Sequence, residues 1–414
     1  MIRFLRFFQR HRFGPKPLYF FSLVVLLYAV ADGIILFFLP ILTKEYLGSM
    51  FLVGLVLASS SFWNIVADLF LGLRSKPIDY RVLTKVSFLL MLVLIGINLV
   101  PIGHIFYVNL GVLLLSMALW GFYFESMLLG IYDFVVVHTD KGEQAGSFGV
   151  IGVFRSLGYV IGPVIAGLAI LASDSTVLFS AALFSLIGLT FFSLKCNHHF
   201  YQLEAGSPSK RLNLKTELMI WEKIGRKIFP LLLMTFSLGV YSGVVFSITP
   251  ILVETKLGFS LMGGFIVAAF SVPMILFTGL FGGMADKYGK RPFILGGAVL
   301  IILALSIFGA MTNPWLAIIL ALLAGTGMSL IYPSLEAQYS NYIEDHLGEE
   351  EETLGEMGVA INLGFIFGAA MAGLLVHLTD QFWLAYILVS AMFIITSLTY
   401  FFLGKRPAFG RDRI

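Results

Sequence analysis

Pro40-Ile41-Leu42, near the end of the first apolar run, returns as Pro250-Ile251-Leu252, 210 positions further on. At that offset Gly33 matches Gly243, Gly48 matches Gly258, Gly54 matches Gly264, Gly72 matches Gly282 and Arg81 matches Arg291. Farther along, the offset falls to 206. There Gly158-Tyr159-Val160-Ile161-Gly162 and Gly167-Leu168 return as Gly364-Phe365-Ile366-Phe367-Gly368 and Gly373-Leu374. An internal repeat of this size in an apolar chain predicts two like halves with a site between them.

Composition identifies the solvent. The chain is 58% hydrophobic and 12% charged, with a mean hydropathy of +0.93; a soluble domain carries about 25% charged residues. A bilayer core about 30 Å thick needs roughly 20 apolar residues per helix. Twelve such runs are present. The first six are roughly 18–43, 50–72, 82–101, 105–131, 146–172 and 176–194. The second six are roughly 229–253, 260–283, 292–311, 315–339, 355–378 and 382–403. The runs are continuous rather than alternating, so helices are expected and not a barrel. The first run is too long for the core of a cleaved signal and is read as a span.

Lys and Arg set the expected orientation. With the N-terminus inside, nearly all basic residues fall on one side, and the other side holds only Lys44 and Lys256. Both termini are therefore expected in the cytoplasm. The expected organisation is a basic segment at 1–17, a six-helix half at 18–194, a polar linker at 195–228, a second half at 229–403 and a tail at 404–414. The linker's stretch from Leu212 to Lys227 has the mixture of an amphipathic helix on the inner leaflet. The net charge of +3 follows from the orientation rule and implies no nucleic-acid partner. The single cysteine, Cys196, excludes a disulfide within the chain. With His198-His199 it makes a poor metal site for want of a fourth ligand, so neither metal nor cofactor is expected. Glu349 to Glu352 read as a solvated charge run, able to pair with the basic linker.

One stretch between the eighth and ninth runs resembles a known family. Gly282-Gly283-Met284-Ala285-Asp286-Lys287-Tyr288-Gly289-Lys290-Arg291-Pro292 is similar to motif A of the major facilitator superfamily. The two glycines would let helices approach and end. Asp286 and its basic neighbours would form charge pairs on the cytoplasmic face, opening and closing as the halves rock. The plainer reading is a basic inner loop. In the first copy, Gly72 to Arg81, Lys76 holds the aspartate position, leaving Asp79 or Asp68 as the substitute. Gly149, Gly158, Gly162, Pro163 and Gly167, with Ala166, resemble motif C of the drug:proton antiporter branches. Glycines at such spacings also suit ordinary helix packing, and a bend is expected at Pro163.

Charges inside apolar runs carry the most information, since each costs at least about 2.5–3.5 kcal/mol at the bilayer centre. The candidates are Asp32, Asp68, Glu125, Arg155 and Glu336. Asp32 has Ser242 as its repeat mate, so the shared fold does not require it. It is costly when ionised and cheap when protonated, which suits a proton carrier. Contact with a cationic substrate and a structural hydrogen bond are the other readings. Arg155, whose mate is Ile361, cannot neutralise itself and is expected to pair with Glu125 or Asp32. That pair is either a proton-coupled switch or a static packing element. Glu336 is placed towards the inner end, and Asp68 with the latch.

Trp63, Asn64, Tyr123, Phe154, Tyr241, Phe246, Tyr332 and Glu336 lie on runs that the resemblance assigns to a central cavity. An aromatic cavity with few acids suits amphipathic or cationic compounds better than sugars. The resemblance implies an all-α integral membrane protein of twelve helices in two pseudo-symmetric six-helix halves. It further implies a monomeric secondary transporter, not an enzyme, in the plasma membrane of a bacterial or archaeal cell. Proton-coupled export of an amphipathic or lipophilic small molecule is the expected activity. Uptake or facilitated passage of a nutrient, metabolite or lipid is the alternative. An integral membrane transferase is disfavoured, because the loops are short and carry no DxD, HxxxxD or nucleotide-binding glycine loop.

Overall fold

The computed structural model describes residues 16–72, 78–100, 105–139, 144–195, 214–256, 260–346 and 350–403. The basic termini, Lys76, Gly258, Glu349, the linker core with Cys196 and His198-His199, and the start of the expected amphipathic stretch lie outside them. The described residues form thirteen helices. In the first half these are α1 (Lys16–Leu47), α2 (Met50–Gly72), α3 (Tyr80–Leu99), α4 (Phe106–His138), α5 (Gln144–Ala169) and α6 (Asp174–Lys195). In the second they are α7 (Leu214–Lys256), α8 (Ser260–Ala269), α9 (Val272–Tyr288), α10 (Lys290–Phe308), α11 (Pro314–Asp345), α12 (Glu350–Thr379) and α13 (Phe382–Leu403). They supply 12 stretches long and apolar enough to cross a membrane. α7 starts within the stretch read as linker and runs unbroken past residue 228 into the seventh span.

Thirteen helices make twelve spans because the eighth span, Met262–Tyr288, is broken between α8 and α9. Pro273, in the first turn of α9, has no N–H to return to the preceding turn. Backbone bonds tighten there to three-residue spacing, from Phe270 to Val267 and from Ser271 to Ala268. The repeat mate of Pro273 is Trp63, and α2 runs straight through.

Helices in lipid associate where small residues let their backbones approach. α1 packs most closely on α5, and its repeat mate α7 on α12. At the first seam a Cβ on Gly158 would lie 2.5 Å from the Ala29 Cβ, and one on Gly162 2.8 Å from the Gly33 Cα. At the second, Gly364 packs on Gly239 and Gly368 on Val240. The glycines of the motif C-like stretch thus serve a contact that both halves share.

The two halves meet through repeat-related contacts as well. Gly54 of α2 lies against Ala369 and Gly373 of α12, and Gly264 of α8 lies against Pro163 and Val164 of α5. Both contacts are at the end that carries the α1–α2 and α5–α6 connections, the end read as outer. Towards the opposite end the interface loosens. α5 packs closely on α8 but only lightly on α9, the continuation of the same span. A Cβ on Gly149 of α5, Gly279 or Gly283 of α9, or Gly358 of α12 would meet nothing within 4 Å. One end between the halves is sealed by backbone contact, and the other, where α5 and α9 pack lightly, is the more open.

Gly264→Val should therefore lower stability in thermal unfolding by about 1–3 kcal/mol through overpacking against the Pro163 carbonyl. Gly283→Ala, which enters open space, should change it by no more than about 0.5 kcal/mol in the destabilising direction.

Candidate functional site: a carboxylate held by two tyrosines

Asp32 sits on α1 immediately before Gly33, the glycine in contact with Gly162. It is only 1% exposed. Tyr123 of α4 donates its hydroxyl to one carboxylate oxygen at 2.6 Å, and Tyr159 of α5 donates to the other at 2.7 Å. The Trp120 indole, one turn before Tyr123, adjoins the same carboxylate. Tyr28 closes the remaining side, edge-on to the Tyr123 ring at 6.0 Å. A buried charge survives in such a place only when its lone pairs are met by donors, and hydroxyls satisfy them without adding a counter-charge.

Arg155 does not pair as the sequence reading expected. Among the described residues no carboxylate comes within ion-pair distance of it, and Asp32 is satisfied by tyrosines instead. Arg155 lies one turn before Tyr159 on α5 and is half-buried. Its electrostatic neighbours are Tyr159, Tyr332, Tyr132 and Glu336. Tyr332 and Glu336 are one turn apart on α11, so the arginine of one half faces a carboxylate of the other across the space between them. Glu336 is exposed there. Glu125, 7% exposed, has no hydrogen-bond partner among the described residues, and its charged neighbour is Asp68 of α2.

The expected cavity residues divide. Trp63, Asn64, Phe154, Phe246 and Tyr332 are half-buried along the interface. Asn64 donates to Asn362 of α12 at 3.3 Å, a hydrogen bond between the halves. Tyr123 and Tyr241 are corrections. Both are enclosed by helix packing, at 0% and 3% exposure, and do not line an open space. Tyr241 packs edge-on to Phe270 at 6.3 Å.

The motif A-like stretch differs from expectation in two respects. The helix does not end at Gly282-Gly283; α9 continues to Tyr288 and stops at Gly289, whose φ of 91° and ψ of 144° favour glycine. Nor is a charge pair of Asp286 present among the described residues; the side chain is exposed. Lys290 donates to the Ala337 carbonyl of α11 at 2.9 Å. Arg291 donates to the Phe401 carbonyl and lies over the Phe401 ring at 4.9 Å. The basic residues thus fasten the loop to its own half. Asp68 is exposed and likewise forms no ion pair among the described residues. Of the motif C-like residues, Gly158, Gly162 and Pro163 make the contacts above, Gly167 is buried, and Gly149 is exposed.

Tyr159 went unnoticed as a functional residue, although the repeat contained a signal for it. Its mate is Phe365, as Asp32's mate is Ser242. The hydroxyl and the carboxyl depart from the shared scaffold together. A hydrogen bond to a charged acceptor is worth about 1.5–3 kcal/mol. A double-mutant cycle of Asp32→Asn and Tyr159→Phe in thermal unfolding should therefore show a coupling energy of at least about 1 kcal/mol. Independent effects that simply add would contradict the clamp.

Comparison with known proteins agrees with this architecture. A model of the Major Facilitator Superfamily matches residues 21–343 and 260–413. Tetracycline resistance protein, class B, of Escherichia coli is 26% identical over 344 residues, covering 78% of this chain and 80% of that protein. The crystal structure of the nucleoside transporter NupG superposes with a TM-score of 0.69 at 14% identity, covering 94% of this chain and 99% of that one. A D-xylose-proton symporter superposes with a TM-score of 0.68 at 14% identity, covering 92% and 96%. Those two likenesses concern the fold.

Proposed function

The chain belongs to the major facilitator superfamily, a family of membrane transporters, and from that premise we propose that it exports an amphipathic or lipophilic small molecule in exchange for protons. The observation that carries the reading is Asp32. This buried carboxyl group is absent from the second half's version of the same helix, and it is held at the α1–α5 seam by two tyrosine hydroxyls with the Trp120 indole beside them. The similarity to a tetracycline resistance protein supports export over uptake.

The geometry supplies a route from proton to gate. When Asp32 takes up a proton, the oxygen that carries it gains a donor and becomes a weaker acceptor, which loosens its tyrosine and favours that hydroxyl's reorientation. Tyr159 is on α5, one turn before Pro163, whose carbonyl seals against Gly264 of the other half. A shift of α5 at Tyr159 therefore acts directly on the sealed end. Arg155, on the same helix and one turn the other way, faces Glu336 across the open end. Protonation at one point thus bears on both ends of the interface, as alternating access requires. The aromatic lining at Trp63, Phe154, Phe246 and Tyr332 suits an amphipathic substrate.

In inside-out vesicles made acidic inside, a lipophilic compound from a panel of drugs, sugars and lysolipids should trigger proton efflux read by a pH dye. Asp32→Asn should abolish the signal. Binding or flux without any proton response would replace antiport by facilitated passage of a nutrient, metabolite or lipid. Arg155→Ala should flatten the pH dependence of transport, and a full wild-type pH profile in that variant would remove arginine from the coupling.

A further inference from the structure

The two pieces of the broken eighth span hold to different halves. α8 packs more closely on α5 of the first half than on any helix of its own. Gly264 lies against Pro163 there, and a Cβ on Gly263 would lie 3.5 Å from the Phe37 ring of α1. α9 reverses this, packing chiefly on α11 and only lightly on α5. The point between the pieces is fixed in the second half. A Cβ on Gly325 of α11 would strike the Phe270 carbonyl oxygen and lie 3.0 Å from the Pro273 Cδ. Phe270 is buried, with its ring edge-on to Phe308 of α10 at 5.2 Å and to Tyr241 of α7 at 6.3 Å.

A pivot seated in one half thus carries an arm attached to the other. From Ser271 back to Gly264 the arm is two helical turns, roughly 10 Å. The pivot is already weakened. Pro273 offers no N–H to the Ala269 carbonyl, and the amides of Phe270 and Ser271 take three-residue bonds. The Ser271 side chain makes no capping hydrogen bond to α9. Bending here forfeits less backbone bonding than it would in a continuous helix. The other contact at the sealed end has no such joint. Gly54 of α2 meets Ala369 and Gly373 of α12, and both helices run unbroken past it. Trp63, the repeat mate of Pro273, lies within continuous helix.

We infer that α8 is a hinged strap between the halves: when the sealed end opens, α8 stays on α5 and swings at Ser271–Pro273, and the α2–α12 seam is the one that parts. The unbroken helices α2 and α12 separate only as wholes. α8 instead keeps the backbone contact of Gly264 with Pro163 and gives way at its break. Opening is therefore one-sided, and the α5–α8 side stays closed. The inference rests on the rocking of the halves and adds which of their two contacts yields. It departs from the repeat as Asp32 does, since Pro273 and the break occur in the second half alone.

The test uses purified full-length protein carrying Cys196→Ser, with nitroxide labels taken in pairs from Leu168 of α5, Phe265 of α8 and Trp315 of α11, all exposed. Gly54→Leu drives the sealed end apart without substrate or gradient, because its side chain has no room against the Ala369 carbonyl and Gly373. In that variant the Leu168–Trp315 and Phe265–Trp315 distances should both shift, while Leu168–Phe265 stays within the spread of the unwedged protein. Adding Pro273→Ala restores an N–H and a continuous helix. The shift should then move to Leu168–Phe265, with Phe265–Trp315 returning to its unwedged value. A fixed Phe265–Trp315 and a lengthened Leu168–Phe265 with Pro273 in place would mark a rigid second half and overturn the proposal, leaving the rocking of the halves intact. A pattern indifferent to Pro273→Ala would overturn it as well. Should Gly54→Leu fail to fold, the same pairs in the unwedged protein at acidic and neutral pH decide between the same outcomes. A Leu168–Trp315 distance fixed under every condition would overturn the strap and the rocking together.

Discussion

Backbone-to-backbone contact at glycine is the constraint on which the rest of this structure depends. In an apolar solvent, Leu and Phe gain no more from one another than from lipid, so side-chain burial cannot by itself hold helices together. What remains is close approach at Gly33, Gly158 and Gly162 in one half and at Gly239, Gly364 and Gly368 in the other. The same device joins the halves at Gly54 with Gly373, and at Gly264 with Pro163. Because these contacts involve rigid main chain, they either fit or separate. They do not deform gradually, which is the property a rocking interface would need.

The polar groups are placed on this frame unevenly. The first half carries Asp32, Glu125 and Arg155, whereas the second contributes Glu336. Asp32 occupies the seam where α1 and α5 touch, so its hydrogen bonds to Tyr123 and Tyr159 form part of the packing itself. Arg155 and Glu336 face each other where the halves have parted. The scaffold is nearly symmetric, and its chemistry is not. A repeat can supply two arrangements of equal kind; the unpaired charges are what can bias one over the other.

Much of the fold was legible in the sequence, because hydropathy and repetition are properties of the chain alone. The twelve spans, the two halves and the glycines of the seams could be read before any coordinates. The break at Ser271 was not read, although Pro273 signals it, because α2 at the equivalent position is continuous and the repeat suggested one uniform helix. The site was legible in height but not in direction. Depth along a run placed Asp32, Glu125 and Arg155 at similar levels, and opposite charges at one level suggested a pair. The faces decide otherwise: Asp32 turns to tyrosines, Arg155 to the second half and Glu125 to α2. Asp286 stands without an ion pair among the described residues for a related reason, since a motif specifies residues and spacing but not which conformation brings partners to them. In this structure the open end keeps the halves' charges apart.

The central claim is that the halves rock between an arrangement sealed at one end and one sealed at the other. Spin labels at Ser173 and Thr312, exposed residues in the connections at the sealed end, would report the distance between halves there. Labels at Lys195 and Ser340 would report it at the open end. Electron-electron double resonance on both pairs, at acidic and neutral pH and with a transported compound, reads the two distances directly. The account predicts that they change in opposite senses, with Ser173–Thr312 lengthening as Lys195–Ser340 shortens. Distances that stay fixed at both ends, or that lengthen together, would contradict it.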